Sequence, residues 1–417
     1  MLTRLLLTLC LCGAAICYAS DDESVYGASV PVTISGGLLH TSGMRRDDGL
    51  ESATAAAFRG VISPTVRLGS HWFFYSSVAI QSASYFDGTY YNYNESPVSA
   101  ELMQAFLGYS RNTGKVSWLF KAGRLSSAFG LAPLEYDDAK MPLLMPPPSY
   151  TSAVPLRPDQ LPCGAADFWR EQYGDEIEFR CGGSESESYG LTPVTLYGLP
   201  GVEAEISAGR IDGRLQITNS SPANPQGLLS ENQAVQWTAG GGYRFPGGLH
   251  VGVSGFRGPY LDRAVEPLLP TGQGIHRFHA SGLGVDAQWS RGPWSLEGEW
   301  QKFWFDMPEF LVAPGVQTAY GQAKRILSPR VFVATRLSFE RFGPIEDTWG
   351  STMTHFQAPR KAIELAMGYR LNRLQLIKAG FSLSDFTSAS AVYNDGLQNT
   401  VQLQLVTDVT AISKAFR

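Results

Sequence analysis

Stretches in which apolar and polar residues alternate recur along the chain from about residue 30, separated by connections that are alternately tight and long. From residue 294 to 300, for example, Trp294, Leu296 and Trp300 share one face of a strand, and a serine and two glutamates share the other. About sixteen such strands can be placed. Strands of about ten residues, with short turns at one end and long loops at the other, are typical of outer-membrane β-barrels.

The pattern therefore predicts an all-β chain, a transmembrane antiparallel β-barrel of about sixteen strands, located in the bacterial outer membrane. An even number of strands suits closure of a single-chain barrel. A soluble β-sandwich has the same period of two, but the small or charged second face favours lipid outside and water inside. The tight turns are expected at Leu68–His71, Asn112–Lys115, Arg210–Gly213, Phe245–Gly248, Ser290–Pro293, Leu327–Pro329 and Leu371–Arg373.

The first nineteen residues have the features of a signal peptide. Arg4 supplies the positive charge, Leu5–Ile16 is the apolar region, and Ala19 ends a run suited to cleavage. A lipoprotein with Cys17 as the modified residue is the weaker alternative, because the bulky Ile16 precedes it. We expect a signal peptide over 1–19 and one barrel domain over 20–417.

Composition supports export and argues against some partners. The 417 residues include 44 glycines and 12% aromatic residues, and the net charge of −5 does not suit a nucleic-acid binder. Once the signal peptide is removed, Cys163 and Cys181 are the only cysteines. In an oxidising compartment two such thiols are expected to pair, the alternative being two free buried thiols.

Between residues 131 and 192 no strand pattern holds, and Met141–Pro148 contains four prolines, which cannot donate ladder hydrogen bonds. An empty sixteen-strand barrel would be a wide hole. We therefore expect this segment to form a constriction loop after the fifth strand. Seven acids lie in this loop: Asp137, Asp138, Asp167, Glu171, Asp175, Glu176 and Glu178. If the loop folds into the pore, their negative charge is expected to make the channel prefer cations. The alternative is that they face the outer surface, where divalent cations bridge them to lipopolysaccharide.

The segment Lys121–Gly130 contains Gly123-Arg124 and, after four intervening residues, Phe129-Gly130. It resembles the motif that precedes the constriction loop in porins of the phosphate- and polyphosphate-selective type. The resemblance implies a passive channel and a homotrimer. The family lines its pore with basic residues, whereas between residues 131 and 200 this chain has four (Lys140, Arg157, Arg170 and Arg180) among many more acids. Phosphate selectivity is therefore not inferred.

Strand parity also assigns residues to the water-filled face. Positive charges are expected on the early strands and negative charges mainly on the middle ones, so that opposite arcs set up a transverse field. The alternative is that these charges pair with one another or with the long loop. The candidate pore-lining residues are Arg59, Arg67, Lys121, Glu203, Glu205, Asp286, Glu297, Glu299, Arg336 and Glu364.

We find no catalytic constellation in the sequence, and we expect no enzyme, cofactor or metal site. His276 and His279 have a metal-like spacing but lack cysteine or clustered carboxylate partners. The leading hypothesis is a channel for passive diffusion of small hydrophilic solutes or ions, in contact with membrane lipid and lipopolysaccharide. The alternative is an occluded barrel that acts as a surface adhesin or structural anchor. A barrel hydrolase is disfavoured, because no Ser/His pair suited to the outer wall was found.

Overall fold

The computed structural model describes residues 26–46, 49–82, 98–131, 133, 137–168, 179, 181, 190–219, 221, 235–386 and 396–409. The predicted signal peptide and the last eight residues lie outside these ranges. The strands are β1 Tyr26–Ser29, β2 Val32–Arg46, β3 Gly49–Ile62, β4 Thr65–Leu68, β5 Trp72–Ser82, β6 Val98–Thr113, β7 Val116–Ser126, β8 Tyr197–Ala208, β9 Ile211–Thr218, β10 Gln236–Arg244, β11 His250–Pro259, β12 His279–Arg291, β13 Trp294–Phe305, β14 Phe310–Val312, β15 Gly315–Ile326, β16 Val331–Phe342, β17 Ile345–Asp347, β18 Thr352–Met353, β19 Arg360–Arg370, β20 Gln375–Phe386 and β21 Gly396–Asp408. Three short 3-10 helices span Pro148–Tyr150, Arg263–Leu268 and Ile275–Arg277.

All strands except β14, β17 and β18 form one antiparallel sheet, which closes where β2 pairs with β21 from Thr33↔Asp408 to Ser42↔Asn399. Two wall strands are broken by proline, which cannot donate to the ladder. Pro31 separates β1 from β2, and Pro64 separates β3 from β4. Counting each broken strand once gives a closed barrel of sixteen strands, the predicted number, in which each strand pairs with its neighbours in sequence.

The connections follow the predicted rhythm, with one correction at the first long loop. Seven tight turns lie at one end of the barrel, which we call the short-turn end; the other end is the long-loop end. The connections at this end are predicted to be long, but after β2 the β2–β3 hairpin instead continues past His40, which pairs with Thr54, to Ser42, which pairs with Ser52. This extension is not recognisable in the sequence, because its small residues, such as Thr41, Ser42, Ser52 and Thr54, do not alternate with apolar ones.

The outer wall is apolar. On β16, Leu337 is 60% exposed whereas the adjacent Arg336 is 1% exposed. On β19, exposed apolar residues alternate in the same way with the small or charged residues Glu364, Ala366 and Gly368, which are buried. Exposed Trp72, Trp118 and Trp294 lie near the short-turn end. Aromatic residues at the edge of an apolar band are typical of a barrel surrounded by lipid.

No helix in the described ranges is long and apolar enough to cross a membrane.

The connection between β7 and β8, residues 127–196, is here called the long segment. Its described part forms no strand, and an isolated bridge joins Val154 to Leu191. The main apolar core lies between this segment, the long-loop ends of the strands and the outer connections, and includes Phe168, Phe303 and Phe356, all fully buried. The apolar core therefore lies inside the barrel and beyond its long-loop end, whereas the apolar exterior of the wall would contact lipid.

Candidate functional site: the barrel interior

The candidate pore-lining residues lie on the face of the wall opposite the exposed apolar side chains. Lys121, Glu205 and Glu297 are partly buried, and Arg67, near the short-turn end, is exposed. The other six are at most 9% exposed, namely Arg59, Glu203, Asp286, Glu299, Arg336 and Glu364. Inward residues of an empty barrel would face water, so such burial means that other parts of the chain cover them.

Charges on adjacent strands pair with one another where β7 meets β8. The ammonium group of Lys121 contacts Glu205 and lies 3.0 Å from Glu203 Oε1. Gln216 on β9 donates from Nε2 to Glu203 Oε2 at 2.6 Å. The positive charge predicted on this arc is therefore neutralised by its neighbours.

Asp138 of the long segment binds to the wall near the closing pair of strands. Its carboxylate forms a buried ion pair with Arg59 on β3 and accepts a hydrogen bond from Ser35 Oγ on β2 at 2.8 Å. On β20, fully buried Lys378 donates to the carbonyl oxygens of Asp138 at 2.9 Å and Met141 at 3.3 Å. Three side chains of the wall and two residues of the segment thus satisfy one another's hydrogen bonds away from water.

Arg336 on β16 is a second anchor. Its guanidinium pairs with Glu364 on β19, with Nη2 2.6 Å from Oε1, and the same Nη2 donates to the carbonyl oxygens of Met145 at 2.9 Å and Pro146 at 3.0 Å. The planar guanidinium group has enough donors to bind the Glu364 carboxylate and the backbone carbonyls of the long segment at the same time.

Tyr150 is a third anchor, at Glu299 on β13. Its hydroxyl lies 2.8 and 2.9 Å from the two carboxylate oxygens of Glu299, and it accepts from Gln301 Nε2 at 2.6 Å. Glu299 also accepts a hydrogen bond from the backbone amide of Leu131 at 3.2 Å. Segment residues distant in sequence therefore meet at one inward carboxylate.

The three anchors lie on different strands of the ring. Counting the broken strands once, β3 is the second wall strand and β13 the eleventh, so they are seven strands apart around the closed ring of sixteen. Between them the segment contacts strands of the same arc in turn, through Met141 at Lys378 on β20 and through Met145 at Arg336 on β16. Residues 138–150 of the long segment therefore run along the inner face of this arc of the wall.

The structure gives a physical reason for the Gly123–Gly130 motif. Gly123 has a φ of 143°, and a Cβ there would overlap the backbone of Ala105 on β6. Phe129 is fully buried with its ring centroid 5.0 Å from that of Phe256. Gly130 has a φ of 75°, and a Cβ there would overlap the Tyr150 hydroxyl. Each glycine permits a close approach as the chain leaves β7 and turns inward.

The predicted disulfide between Cys163 and Cys181 is confirmed. The region next to it is held by Asp347 on β17, whose Oδ2 accepts from the Ala165 amide at 3.0 Å. Burial would raise the pKa of Asp347, but hydrogen bonds from the Ala165, Ser351 and Trp349 amides outweigh this effect and hold the pKa below its usual value.

The acids predicted for the constriction loop have different environments. Asp138 is paired as described above, and Asp167 is buried and accepts from the Cys163 amide at 2.7 Å. Asp137 is partly exposed, 3.2 Å from Lys140 Nζ. Glu171, Asp175, Glu176 and Glu178 lie outside the described residues.

Sequence reasoning missed several interior residues. Ser35, Gln216 and Lys378 have the inward parity of their strands, so the alternation contained the signal, but only charged residues on the clearest strands were selected. Near the short-turn end, Asp212 Oδ2 lies 2.9 Å from His250 Nε2, and Asp286 is close by. In the described ranges, no group of three or more His, Cys, Asp or Glu side chains is placed to hold a metal ion.

Comparison with solved structures identifies the fold. The anion-selective porin from Comamonas acidovorans is similar with a TM-score of 0.54 and 10% identity, over 92% of this chain and 99% of that one. OmpT, an outer membrane protein of Vibrio cholerae, gives 0.53 and 9%, over 93% and 99%. The outer membrane channel DcaP of Acinetobacter baumannii gives 0.51 and 9%, over 94% and 99%. No family model and no curated protein matches the chain. The chain therefore has a porin-type barrel fold.

Proposed function

We propose that this protein is a non-catalytic outer-membrane channel for the passive diffusion of small hydrophilic solutes or ions. The observation that carries the proposal is a closed barrel of sixteen strands with an apolar exterior and an interior lined by charged and amide side chains. A barrel whose interior was only a packed hydrophobic core would have apolar residues on its inner face as well. Polar lumens of this size are the feature by which porins conduct water and solutes.

The long segment would act as the constriction. The contacts with Arg59, Arg336 and Glu299 support this role, because they hold the segment on the inside of the wall, where it would narrow the open path. Because these inward charges are paired with the segment or the wall, their field is weaker than free arcs of charge would give. The solutes admitted should be small, because the segment would narrow the lumen.

Single-channel recording in planar lipid bilayers tests the proposal. Steady, ohmic current steps of the purified protein are expected, and boiled protein serves as the control. Absence of steps from protein that migrates as a folded barrel would contradict the channel function.

An occluded barrel, acting as an adhesin or anchor, is the second candidate. The specific observation in its favour is the apolar core inside the long-loop end, where Phe168, Phe303 and Phe356 are fully buried. Such packing excludes water from part of the cross-section. The same recordings separate the two candidates, since an occluded barrel gives no current until the segment is displaced.

The predicted preference for cations stays a prediction. Asp138 is neutralised by Arg59, so any such preference would depend on the segment's other acids and on Glu205, Asp212 and Glu297 in the lumen. A reversal potential in a potassium chloride gradient decides the sign. Preference for chloride would contradict the acidic constriction and favour the anion-selecting behaviour of the porins that the 121–130 motif resembles.

We further propose that the protein is a homotrimer in the outer membrane, as the motif resemblance implies. Mass measurement of the detergent-solubilised protein by light scattering tests this, with the monomer mass of 45.4 kDa for the full chain as the reference.

A further inference from the structure

Three aromatic side chains form a patch on the inner face of the wall: Phe73 and Tyr75 on β5, and Phe106 on β6. Residues 73 and 75 alternate along β5 with Trp72 and Phe74, which are 47% and 40% exposed on the outer face. The ring centroid of Phe106 lies 5.2 Å from that of Tyr75 and 6.1 Å from that of Phe73. The polar lumen wall therefore has one aromatic area, on its third and fourth strands.

The patch has a supported side and an open side. A Cβ at Gly108 on β6 would overlap the Phe73 ring, so this ring lies directly over the backbone. Phe106 is 8% exposed and fixes the position of the other two rings, whereas Phe73 and Tyr75 are only half-buried. Rings that served packing alone would be covered on both sides. Phe73 and Tyr75 instead keep part of their surface towards the lumen.

An arginine with no partner lies beside this patch. Arg67 on β4 is opposite Phe73 in the strand register, has the inward parity and is exposed. Its guanidinium forms no ion pair or hydrogen bond with any residue that the structure describes. On its other side Arg67 is opposite Gly27 on β1, where a Cβ would have no atom within 4 Å. The space next to the charge is therefore open.

Other inward cations differ from Arg67 in their surroundings. Arg59, Lys121 and Arg336 are each paired with a carboxylate of the chain. Arg244 on β10 is inward and exposed near the same end of the barrel, but its register partner is His250, and no phenylalanine or tyrosine lies beside it on the inner face of β10 or β11 within two residues of this pair. Among these five cations, Arg67 alone combines an available charge with adjacent aromatic rings.

We propose that Arg67, Phe73 and Tyr75 form a binding site for aromatic carboxylates inside the lumen. The carboxylate accepts hydrogen bonds from the Arg67 guanidinium, whose planar donors match its two oxygens. Adjacent strands are about 4.8 Å apart, so a ring that rests on Phe73 places a directly attached carboxylate within reach of Arg67. Aromatic rings attract one another in offset and edge-to-face arrangements, which favours an aromatic over an aliphatic acid. The inference rests on the proposed channel function, because the solute reaches the patch through the lumen.

Fluorine NMR titration of the full-length protein in detergent tests the site, with 4-fluorobenzoate as the probe. Wild-type protein should broaden and shift the probe signal in a saturable way. The dissociation constant should rise roughly tenfold in Arg67→Gln, which removes the charged hydrogen bonds. It should rise roughly fivefold in Phe73→Leu, which keeps an apolar side chain but removes the ring.

Arg244→Gln is the matched control. It removes the same charge from the inner wall near the same end, away from the aromatic patch, and should bind the probe as the wild type does. The folded-barrel gel shift should be the same for all variants. Equal affinity of Arg67→Gln and the wild type would overturn the proposal. So would displacement of the probe by hexanoate at the concentration at which benzoate displaces it, because the rings would then exert no selection.

Bilayer recordings separate this inference from the channel function. In the wild type, 4-fluorobenzoate should reduce the potassium chloride current at concentrations that leave Arg67→Gln unaffected. Steady current steps from protein that fails to bind the probe would overturn the inference and leave the channel function intact. Saturable binding by protein that gives no steps would support the site and contradict the channel function.

Discussion

At the scale of single residues, the interior is organised by side chains that satisfy one another. Glu299 has a carboxylate that is 4% exposed, and the Tyr150 hydroxyl lies within hydrogen-bonding distance of both of its oxygens. A buried polar group that loses its partner is destabilised by about 1–3 kcal/mol. Each such contact therefore determines whether the long segment stays against the wall.

Tyr150→Phe should weaken the docking of the long segment, because it removes the hydroxyl shared by Glu299, Gln301 and the Leu131 amide. The expected result is a lower thermal unfolding temperature in detergent, corresponding to about 1–3 kcal/mol, and more current fluctuation in bilayers. Tyr369→Phe is the control, since Tyr369 is outward-facing and 40% exposed near the short-turn end. Equal behaviour of the two variants would count against the anchor.

Asp347 should make the docking of residues near 165 depend on pH. Its folded-state pKa lies below the ordinary value of 3.8, so its stabilising contribution is present above that value and is lost as the pH falls through the folded pKa. Protection of the Ala165 amide from hydrogen exchange, corrected for intrinsic rates, should therefore decrease below about pH 4. Asp347→Asn should show weak protection at every pH. If the Asp347→Asn variant retained wild-type protection of the Ala165 amide, Asp347 would not be the group that holds this region.

At the scale of elements, strands with strict alternation were predictable. Their order, most of the tight turns and the closed barrel followed from local pattern, because one face meets lipid and the other does not. The extension of the β2–β3 hairpin was not predictable, because residues such as Thr41 and Ser42 show no alternation of apolar and polar side chains. The anchors were not predictable either. Arg59 and Asp138 are 79 residues apart and Lys378 and Asp138 are 240 apart, so their contacts depend on the path of the long segment and not on any local period.

Arg59→Gln tests the anchoring of the long segment at β3. Removing one member of a buried ion pair usually costs about 3–5 kcal/mol, because the remaining charge is left without compensation. We expect a decrease in unfolding free energy near this range in guanidinium titrations, together with a larger single-channel conductance. Arg67→Gln is the matched control, an inward arginine of the same broken wall strand that is exposed. If both variants behave alike, the Arg59–Asp138 pair does not hold the segment.

At the scale of the whole molecule, the barrel has an apolar outside and a polar inside, the reverse of a soluble β-protein's usual arrangement. Burial therefore means different things on the two faces. Leu365 is 48% exposed, but the surface it contributes would meet lipid. Glu205, whose side chain is 34% exposed, faces the lumen.

Cysteine substitution distinguishes these faces in membranes. Glu205→Cys and Arg67→Cys should react with a charged, water-soluble thiol reagent, because their side chains reach the lumen water. Leu365→Cys and Leu337→Cys should not react, because the reagent cannot enter hydrocarbon. Mass spectrometry of the labelled protein measures each extent. The opposite pattern would show that the inward and outward faces have been assigned the wrong way round.

The closing pair β2–β21 also has a consequence for the order of events during folding. Asp138 contacts Ser35 on β2 and Lys378 on β20, and Met145 contacts Gln402 on β21. The segment can thus complete its contacts only when the last strands have joined the first, so docking and ring closure should be one kinetic step. During refolding into lipid vesicles, protease resistance of the segment and the folded-barrel gel shift should appear with the same rate constant, and Lys378→Met should slow both. A segment that becomes resistant before the gel shift would show that it instead templates the barrel, with the wall assembling around it.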